Sequence, residues 1–124
     1  MAVSKIWVFA EADGDKPTGT TLELVSKAIE LVGKSPELLD TRGVIYLHLG
    51  QNREAVKDLK ECVDLTPSAV RYFHLAQAQW AVKNREEAAQ AMRKARENGL
   101  QADRHLHRLE KGDYDDLRKA VGDG

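Results

Sequence analysis

Apolar and small residues recur at helical spacing along most of this chain. In residues 35–67, two amphipathic segments are separated by a tight turn at residues 50–52 and ended by Pro67. Ser35 followed by Pro36 is typical of a helix N-cap and first turn. Because the apolar positions fall three and four residues apart, this stretch predicts two helices that each bury one face and are joined as a hairpin.

The same pattern continues on both sides of this hairpin. Upstream, residues 18–33 predict a helix in which Thr20 and Glu23 have the spacing of a capping box. Downstream we expect two further helices, then a short one over residues 102–110 and a last one over residues 113–121. The side chains that we expect to cap the later helices are those of Asn52, Ser68, Asn84 and Asp113.

Residues 5–11, with the sequence KIWVFAE, are the segment with the composition of a β-strand. Apolar side chains face both sides of such a strand, so we expect it to be buried or paired. Since no second strand is predicted, the simplest pairing joins two copies of the chain as a homodimer or higher assembly. The residues predicted to mediate this self-association are Ile6, Trp7, Val8 and Phe9.

Small residues also repeat at a fixed distance along the chain. The pairs at an offset of 33 are Gly43 with Ala76, Ala55 with Ala88, and Cys62 with Ala95. This offset, with small residues at fixed helix positions, resembles the tetratricopeptide repeat, a unit of two antiparallel helices. The matching positions are Leu39, Gly43, Tyr46, Gly50, Ala55, Leu59, Cys62 and Pro67 in the first unit, and Tyr72, Leu75, Ala76, Ala88, Met92 and Ala95 in the second. The departures from the family pattern are Arg42, Gln79 and Leu100.

The resemblance implies an all-α fold. We expect a tetratricopeptide-like array of antiparallel helical hairpins, about 2.5 repeats long, with a single N-terminal β-strand and a C-terminal capping helix. The predicted organisation is a strand and turn over residues 1–17 and a helical repeat domain over residues 18–121. The parts of that domain are a half repeat over 18–35, units over 36–68 and 69–101, and a cap over 102–121.

The beginning of the chain resembles a different family. An apolar strand, an acidic turn at Asp13 and Gly14, and a helix opened by threonines make residues 1–32 similar to the N-terminus of the electron-transfer flavoprotein alpha subunit. Together with the repeats, this resemblance implies a chimera, natural or engineered, joined within the helix of residues 18–33. The remaining strands and the flavin-holding domain of that family have no counterpart here. We therefore carry over no flavin-binding residue and expect no cofactor.

The charge balance and cysteine content narrow the class of protein. The chain has 19 Lys and Arg against 20 Asp and Glu, so no bulk electrostatic attraction to nucleic acid or anionic membranes is expected. Cys62 is the single cysteine, which excludes an internal disulfide and fits a reducing compartment. No apolar run has the length of a membrane span or signal peptide, so we predict a cytoplasmic protein.

Three patterns that suggest chemistry are better explained by structure. His105 and His107 lack accompanying metal ligands, and their spacing points the rings apart on a helix. Residues 14–21 precede a helix but lack the lysine of a phosphate-binding loop. The acids of residues 113–116 suit a helix N-terminus. Since no set of nucleophile, base and orienting group is recognisable, we predict no enzymatic activity and no metal site.

The repeat resemblance implies a concave partner-binding face lined by the first helix of each unit. The basic and asparagine residues with which some members bind a peptide carboxylate are replaced by Asp40, Val44 and Phe73, which disfavours that mode. Three occupants remain open: the chain's own N-terminal segment, an apolar peptide or helix, and a second copy. We favour contact with the chain itself. The predicted partner-binding residues are Asp40, Val44, Leu47, His48, Phe73, His74, Gln77 and Trp80.

These observations predict a non-catalytic scaffold for protein–protein interaction or self-assembly. Its expected partner is a protein or peptide, with a homo-oligomeric state in which a dimer is favoured. The alternatives are a fragment related to the electron-transfer flavoprotein, an open-groove repeat module that binds an apolar peptide, and a fusion without an evolved function.

Overall fold

The computed structural model describes residues 18–101, 106 and 110–122, which form six α-helices and the turns that join them. In chain order the helices are α1 (Gly19–Val32), α2 (Pro36–His48), α3 (Asn52–Leu65), α4 (Ala69–Ala81), α5 (Arg85–Glu97) and α6 (Lys111–Val121). Within the described residues, no helix has the length and apolar character needed to cross a membrane.

Each helix packs chiefly against its neighbours in the chain. The closest pairs are α2 with α3 and α4 with α5, and α3 packs against α4, so two helical hairpins stack side by side. α1 packs on α2, and α6 packs on α5 and α4. Because a hairpin cannot bury its apolar face alone, this stacking is what buries the apolar side chains, which form two clusters among the described residues.

The predicted fold class needs one correction. The helical array is present, but the part of the chain that the structure describes contains no β-strand. The predicted strand of residues 5–11, with its self-association residues, lies outside the described residues. The prediction of an α fold with an added strand is therefore wrong, and the fold shown is all-helical. Strand composition was a weak guide because strand propensity depends mainly on packing context.

Side-chain caps begin three of the helices. Ser35 and Ser68 each accept a hydrogen bond from the backbone N–H three residues ahead, at 3.1 and 3.2 Å, as predicted. α1 begins at Gly19, and its N-cap is Thr18, which exchanges hydrogen bonds with Thr21. The predicted capping box at Thr20 is wrong, since that residue lies inside the helix.

The turns within both hairpins are closed by backbone hydrogen bonds. The N–H of Gln51 donates to the carbonyl of Tyr46, and the N–H of Asn84 donates to the carbonyl of Gln79, both at 2.9 Å. Asn52 lies inside α3, and the side-chain amide of Asn84 donates to the side chain of Gln79. The prediction for Asn52 is therefore wrong, whereas Asn84 does occupy the N-cap position of α5, although its side chain makes no capping hydrogen bond.

The residue that reverses the chain in each turn has a left-handed backbone. Gly50 has a φ of 80°, and Lys83, which occupies the equivalent place in the second hairpin, has a φ of 68°. Glycine adopts this conformation freely, whereas the Cβ atom of lysine makes it costly. The second hairpin therefore carries local backbone strain that the first hairpin avoids.

Close approach of α2 and α3 depends on Gly43. A Cβ atom at this position would lie 2.5 Å from Cγ of Leu59, which is fully buried and fills the space. The other small residues of the repeat pattern are also fully buried: Ala55, Cys62, Ala76, Ala88 and Ala95. The prediction that small residues allow the helices to pack closely is confirmed.

Arg42, which departs from the family pattern, has a structural role in the first hairpin. Its Nε and Nη2 atoms donate to the two carboxylate oxygens of Asp58, at 2.6 and 3.0 Å. Asp58 is buried at 4% exposure, so the fork of the guanidinium supplies the partners that a buried carboxylate needs. The hydrogen bond to Asp58 outweighs partial burial and raises the pKa of Arg42.

The core continues from the repeats into the C-terminal segment. Phe73 and Met92 are fully buried, and Leu106 and Leu117 belong to the same apolar cluster. On α6, Leu117 faces inward while the three aspartates are exposed. Asp113 is not the expected N-cap, because the helix begins at Lys111 and Asp113 lies in its first turn.

Candidate partner-binding cleft

The inner helices α2 and α4, together with α6, enclose a cleft of about 320 Å³. Its lining combines apolar side chains with two amides, one histidine and three acids: Val44, Leu47, His48, Asn52, Gln77, Trp80, Ala81, Glu110, Asp113, Asp116 and Leu117. A cleft of this size and composition can hold side chains of a partner segment. Its apolar groups bury the partner's surface, and its polar groups fix the orientation of the bound segment.

The eight predicted partner-binding residues divide into two groups in the structure. Five of them line the cleft, namely Val44, Leu47, His48, Gln77 and Trp80. The other three, Asp40, Phe73 and His74, are 4%, 0% and 1% exposed and do not line it. Of the lining five, Leu47, His48, Gln77 and Trp80 are exposed or half-buried, whereas Val44 is 4% exposed. The three that do not line the cleft belong to the interior that supports it.

Three of the buried polar residues form one hydrogen-bonded group. Nδ1 of His74 lies 2.7 Å from Oδ1 of Asp40, and Nε2 of His74 contacts Oε2 of Glu110. Asp40 is on α2, His74 is on α4, and Glu110 immediately precedes α6. We call this group the buried triad. It joins the three elements that enclose the cleft.

The geometry of the buried triad determines the charge of His74. Both ring nitrogens face carboxylate oxygens, so each must carry a proton to donate. Burial alone lowers the pKa of His74, but the charges of Asp40 and Glu110 and their hydrogen bonds outweigh it. The pKa of His74 is therefore raised well above its ordinary value, and the imidazolium form is the one held in the interior.

The chain's own C-terminal segment contacts the inner face of the repeats. Phe73 meets Tyr114 edge to face, with ring centroids 5.6 Å apart, and Leu117 of the same helix lines the cleft. The self-contact predicted from the sequence involves the N-terminal segment, which lies outside the described residues. Among the described residues, the contact comes from α6 and Glu110.

Six of the lining residues are not among the predicted partner-binding residues: Asn52, Ala81, Glu110, Asp113, Asp116 and Leu117. Glu110 immediately precedes α6, beyond the second unit, where the repeat pattern gives no register. One indirect signal was available: a histidine on the inner face of a helix needs hydrogen-bond partners if it is buried. That signal shows that a partner is needed but does not show which residue supplies it.

One wall of the cleft is acidic. Glu110, Asp113 and Asp116 are lining residues, and the lining contains no Lys or Arg among the residues that the structure describes. From α4, Trp80 presents a half-buried ring to the same cleft. The guanidinium carbon of Arg85, which is not a lining residue, lies 5.6 Å from the centroid of that ring.

The sequence contains two other candidate features, a pair of histidines and a single cysteine. The described residues contain no group of three or more His, Cys, Asp or Glu side chains that could hold a metal ion. His105 and His107 lie outside the described residues. Cys62 is fully buried, its Sγ donates to the carbonyl of Pro36, and burial raises the pKa of the thiol to about 12. This thiol is therefore an unreactive core residue.

The stacked hairpins and the cleft along their inner helices define a helical-repeat protein with a concave surface. A family model for the tetratricopeptide repeat matches residues 36–68 and 69–97, which together make up half of the chain. The chain therefore belongs to the tetratricopeptide repeat family, whose repeats generally mediate interactions with proteins or peptides.

Further comparisons add no closer relationship. Neither the curated proteins nor the solved structures give a match to the chain. The comparisons also give no support to the resemblance of residues 1–32 to the electron-transfer flavoprotein, or to a chimera.

Proposed function

We propose that this protein is a non-catalytic interaction scaffold that binds a peptide segment of a partner protein in the cleft between α2, α4 and α6. The observation that carries the proposal is the state of the lining: Leu47 and Trp80 remain partly exposed beside Leu117. Large apolar side chains that converge on a concave surface gain free energy when a partner removes them from water.

Some residues of this region can contact a partner, and others hold the helices that carry them in place. Trp80 and Leu47 supply apolar area, and the amides of Gln77 and Asn52 supply groups that can hydrogen-bond an extended backbone. Beneath them, Phe73 and the buried triad fix the relative positions of α2, α4 and α6. A rigid support lowers the conformational entropy lost on binding, which favours recognition of a short segment.

The test begins with a random peptide library displayed on phage and selected against the immobilised full-length chain. Peptides recovered from it are then measured by fluorescence anisotropy. Trp80→Ala should weaken their binding by about 30-fold, the effect of removing a central aromatic contact. The matched control is Leu65→Ala, which truncates a large apolar side chain at 53% exposure outside the cleft and should leave affinity unchanged. Equal binding by Trp80→Ala and wild type would contradict the proposal.

The outer face of α1 supports a second candidate function, self-association. Leu24, Leu31 and Val32 are 58%, 74% and 74% exposed on this helix, and such residues favour burial against another surface. We propose a second copy of the chain as the occupant. Light scattering should give a molar mass above that of one chain, and Leu31→Glu should reduce it. A monomer at high micromolar concentration would contradict this candidate.

We also propose that the protein works in a reducing compartment. The free and buried Cys62 supports such a compartment, for example the cytoplasm.

The flavoprotein resemblance of residues 1–32 supports a rival function as a fragment of that class, with or without a chimeric origin. Flavin absorbance in the purified protein would favour the rival over the scaffold.

A further inference from the structure

We propose that the segment recognised by this cleft is basic and amphipathic, placing a Lys or Arg beside an apolar side chain. This inference rests on the proposed function, because it names the chemistry of the partner for the same cleft. It is carried by the composition of one concave surface, in which the aspartates of α6 and the apolar side chains of the inner helices line the same cleft.

The acidic side of the cleft is formed by α6. Asp113 and Asp116 line the cleft and are exposed, and neither forms an ion pair within the described part of the chain. Glu110 lines the cleft as well, but its carboxylate accepts a hydrogen bond from His74. The charges that face a visiting segment are therefore those of the two aspartates. A cation brought to this wall gains attraction from both.

The cleft also offers apolar and aromatic area. Trp80 and Leu47 line it from the inner helices, and Leu117 lines it from α6. An indole ring also attracts cations through its face, as the contact between Arg85 and Trp80 illustrates. A side chain that combines a long apolar stem with a charged head, such as Lys or Arg, matches both sides at once.

The same arrangement disfavours an acidic partner. With no Lys or Arg among the described lining residues, a glutamate, aspartate or C-terminal carboxylate would meet like charge and find no basic donor. Arg85 contacts the ring of Trp80 without lining the cleft, so its charge opposes a cation brought to that ring. Its removal should strengthen the binding of a basic peptide about 2-fold.

The experiment uses three phage libraries with the same fixed apolar positions. Their variable positions are restricted to Lys and Arg, to Ser and Gln, or to Asp and Glu. Each library is selected against the immobilised full-length chain, and the recovered peptides are measured by anisotropy. We expect the basic library to give affinities about 5-fold or more above those of the neutral library, and the acidic library to give none.

Variants of α6 test where the charge preference arises. Asp116→Asn should weaken basic peptides about 2- to 5-fold, and Asp113→Asn with Asp116→Asn about 5- to 20-fold. Asp115→Asn is the matched control, because Asp115 is exposed on the same helix but does not line the cleft. Asp116→Lys should shift the preference toward acidic peptides. Circular dichroism checks that each variant keeps its helix content.

The outcomes separate the inference from the proposed function. If neutral peptides bind in a Trp80-dependent way and basic peptides have no advantage, the inference is overturned while the proposed function stands. If no library yields Trp80-dependent binding, both are overturned. If basic peptides are preferred but the Asp113 and Asp116 variants bind them like wild type, the assignment to this wall is overturned.

Discussion

His74 and Glu110 are in direct hydrogen-bond contact in the interior of the protein, through Nε2 and Oε2. This contact joins the inner helix of the second hairpin to the segment that leads into α6. Nδ1 of His74 lies 2.7 Å from Oδ1 of Asp40, so one imidazolium connects elements from three parts of the chain. The last helix is therefore part of the folded unit and shapes the cleft that the inner helices present.

The first prediction concerns Glu110. Glu110→Ala should lower the free energy of unfolding by about 3–5 kcal/mol, because it removes one partner of a buried charge. Glu110→Gln keeps an oxygen acceptor and should cost about 1–2 kcal/mol. Urea denaturation followed by circular dichroism measures both. The exposed Glu97→Ala serves as the control and should change stability by less than about 0.5 kcal/mol. A similarly small effect of Glu110→Ala would show that the contact does not hold α6.

The second prediction concerns pH. The folded protein raises the pKa of His74 above its unfolded value of about 6.5. Its stabilisation is therefore complete below about pH 6.5 and falls as pH rises toward the folded pKa, since only the unfolded chain releases the proton there. The free energy of unfolding should decline by up to about 1.4 kcal/mol per pH unit between about pH 6.5 and pH 8.

The control for this pH dependence is His74→Gln, which removes the titrating group and should lose that part of the slope. The range ends near pH 8 because Cys62 also lowers the free energy of unfolding as pH rises above that value. The pKa of its thiol is about 12 in the folded protein, so the unfolded chain loses this proton first. An identical slope in wild type and His74→Gln would assign the pH dependence to other groups.

The third prediction tests the close approach of α2 and α3. Gly43→Ala should destabilise the protein by about 1–3 kcal/mol, because its Cβ would lie 2.5 Å from Leu59. Gly112→Ala is the control, since Gly112 is helical and has open space around it, so alanine should be neutral or stabilising. Thermal unfolding measures both variants. Equal midpoints would mean that Leu59 moves aside without cost.

The fourth prediction concerns backbone strain in the second hairpin. Lys83→Gly should stabilise the protein by up to about 1 kcal/mol, because glycine accepts the φ of 68° without a Cβ penalty. Gly50→Ala, at the equivalent turn of the first hairpin, should destabilise by a similar amount for the converse reason. Opposite signs for the two substitutions in urea denaturation support the interpretation. A loss of stability in Lys83→Gly would refute it.

The fifth prediction concerns Cys62. A thiol that is fully buried, with a pKa of about 12, should react with Ellman's reagent very slowly in the folded protein. The rate near pH 8 should rise on the order of 100-fold or more when urea unfolds the chain. The absorbance of the released thiolate reports both rates. Fast reaction of the folded protein would mean that the α2–α3 interface opens readily.

The sequence by itself determined where the helical hairpins lie. Gly43 and Cys62 mark the repeat because small side chains at fixed spacing are a steric requirement of close helix packing, and Ser35 and Ser68 cap helices through contacts only three residues long. These features depend on residues close together in the sequence, so they can be predicted from the sequence alone. The side-chain caps expected at Asn52 and Asn84 do not form, because Asn52 lies inside α3 and the amide of Asn84 donates to the side chain of Gln79.

Which residues of the inner face are buried and which line the cleft depends on tertiary contacts. Phe73 and Trp80 are both aromatic residues on α4, yet one is fully buried against Tyr114 and the other lines an open cleft. The buried triad depends on Asp40, His74 and Glu110, which are far apart in the sequence and meet when α6 docks. Periodicity shows which face of a helix points inward, whereas the docking of a distant segment decides which inward residues become core and which remain open to a partner.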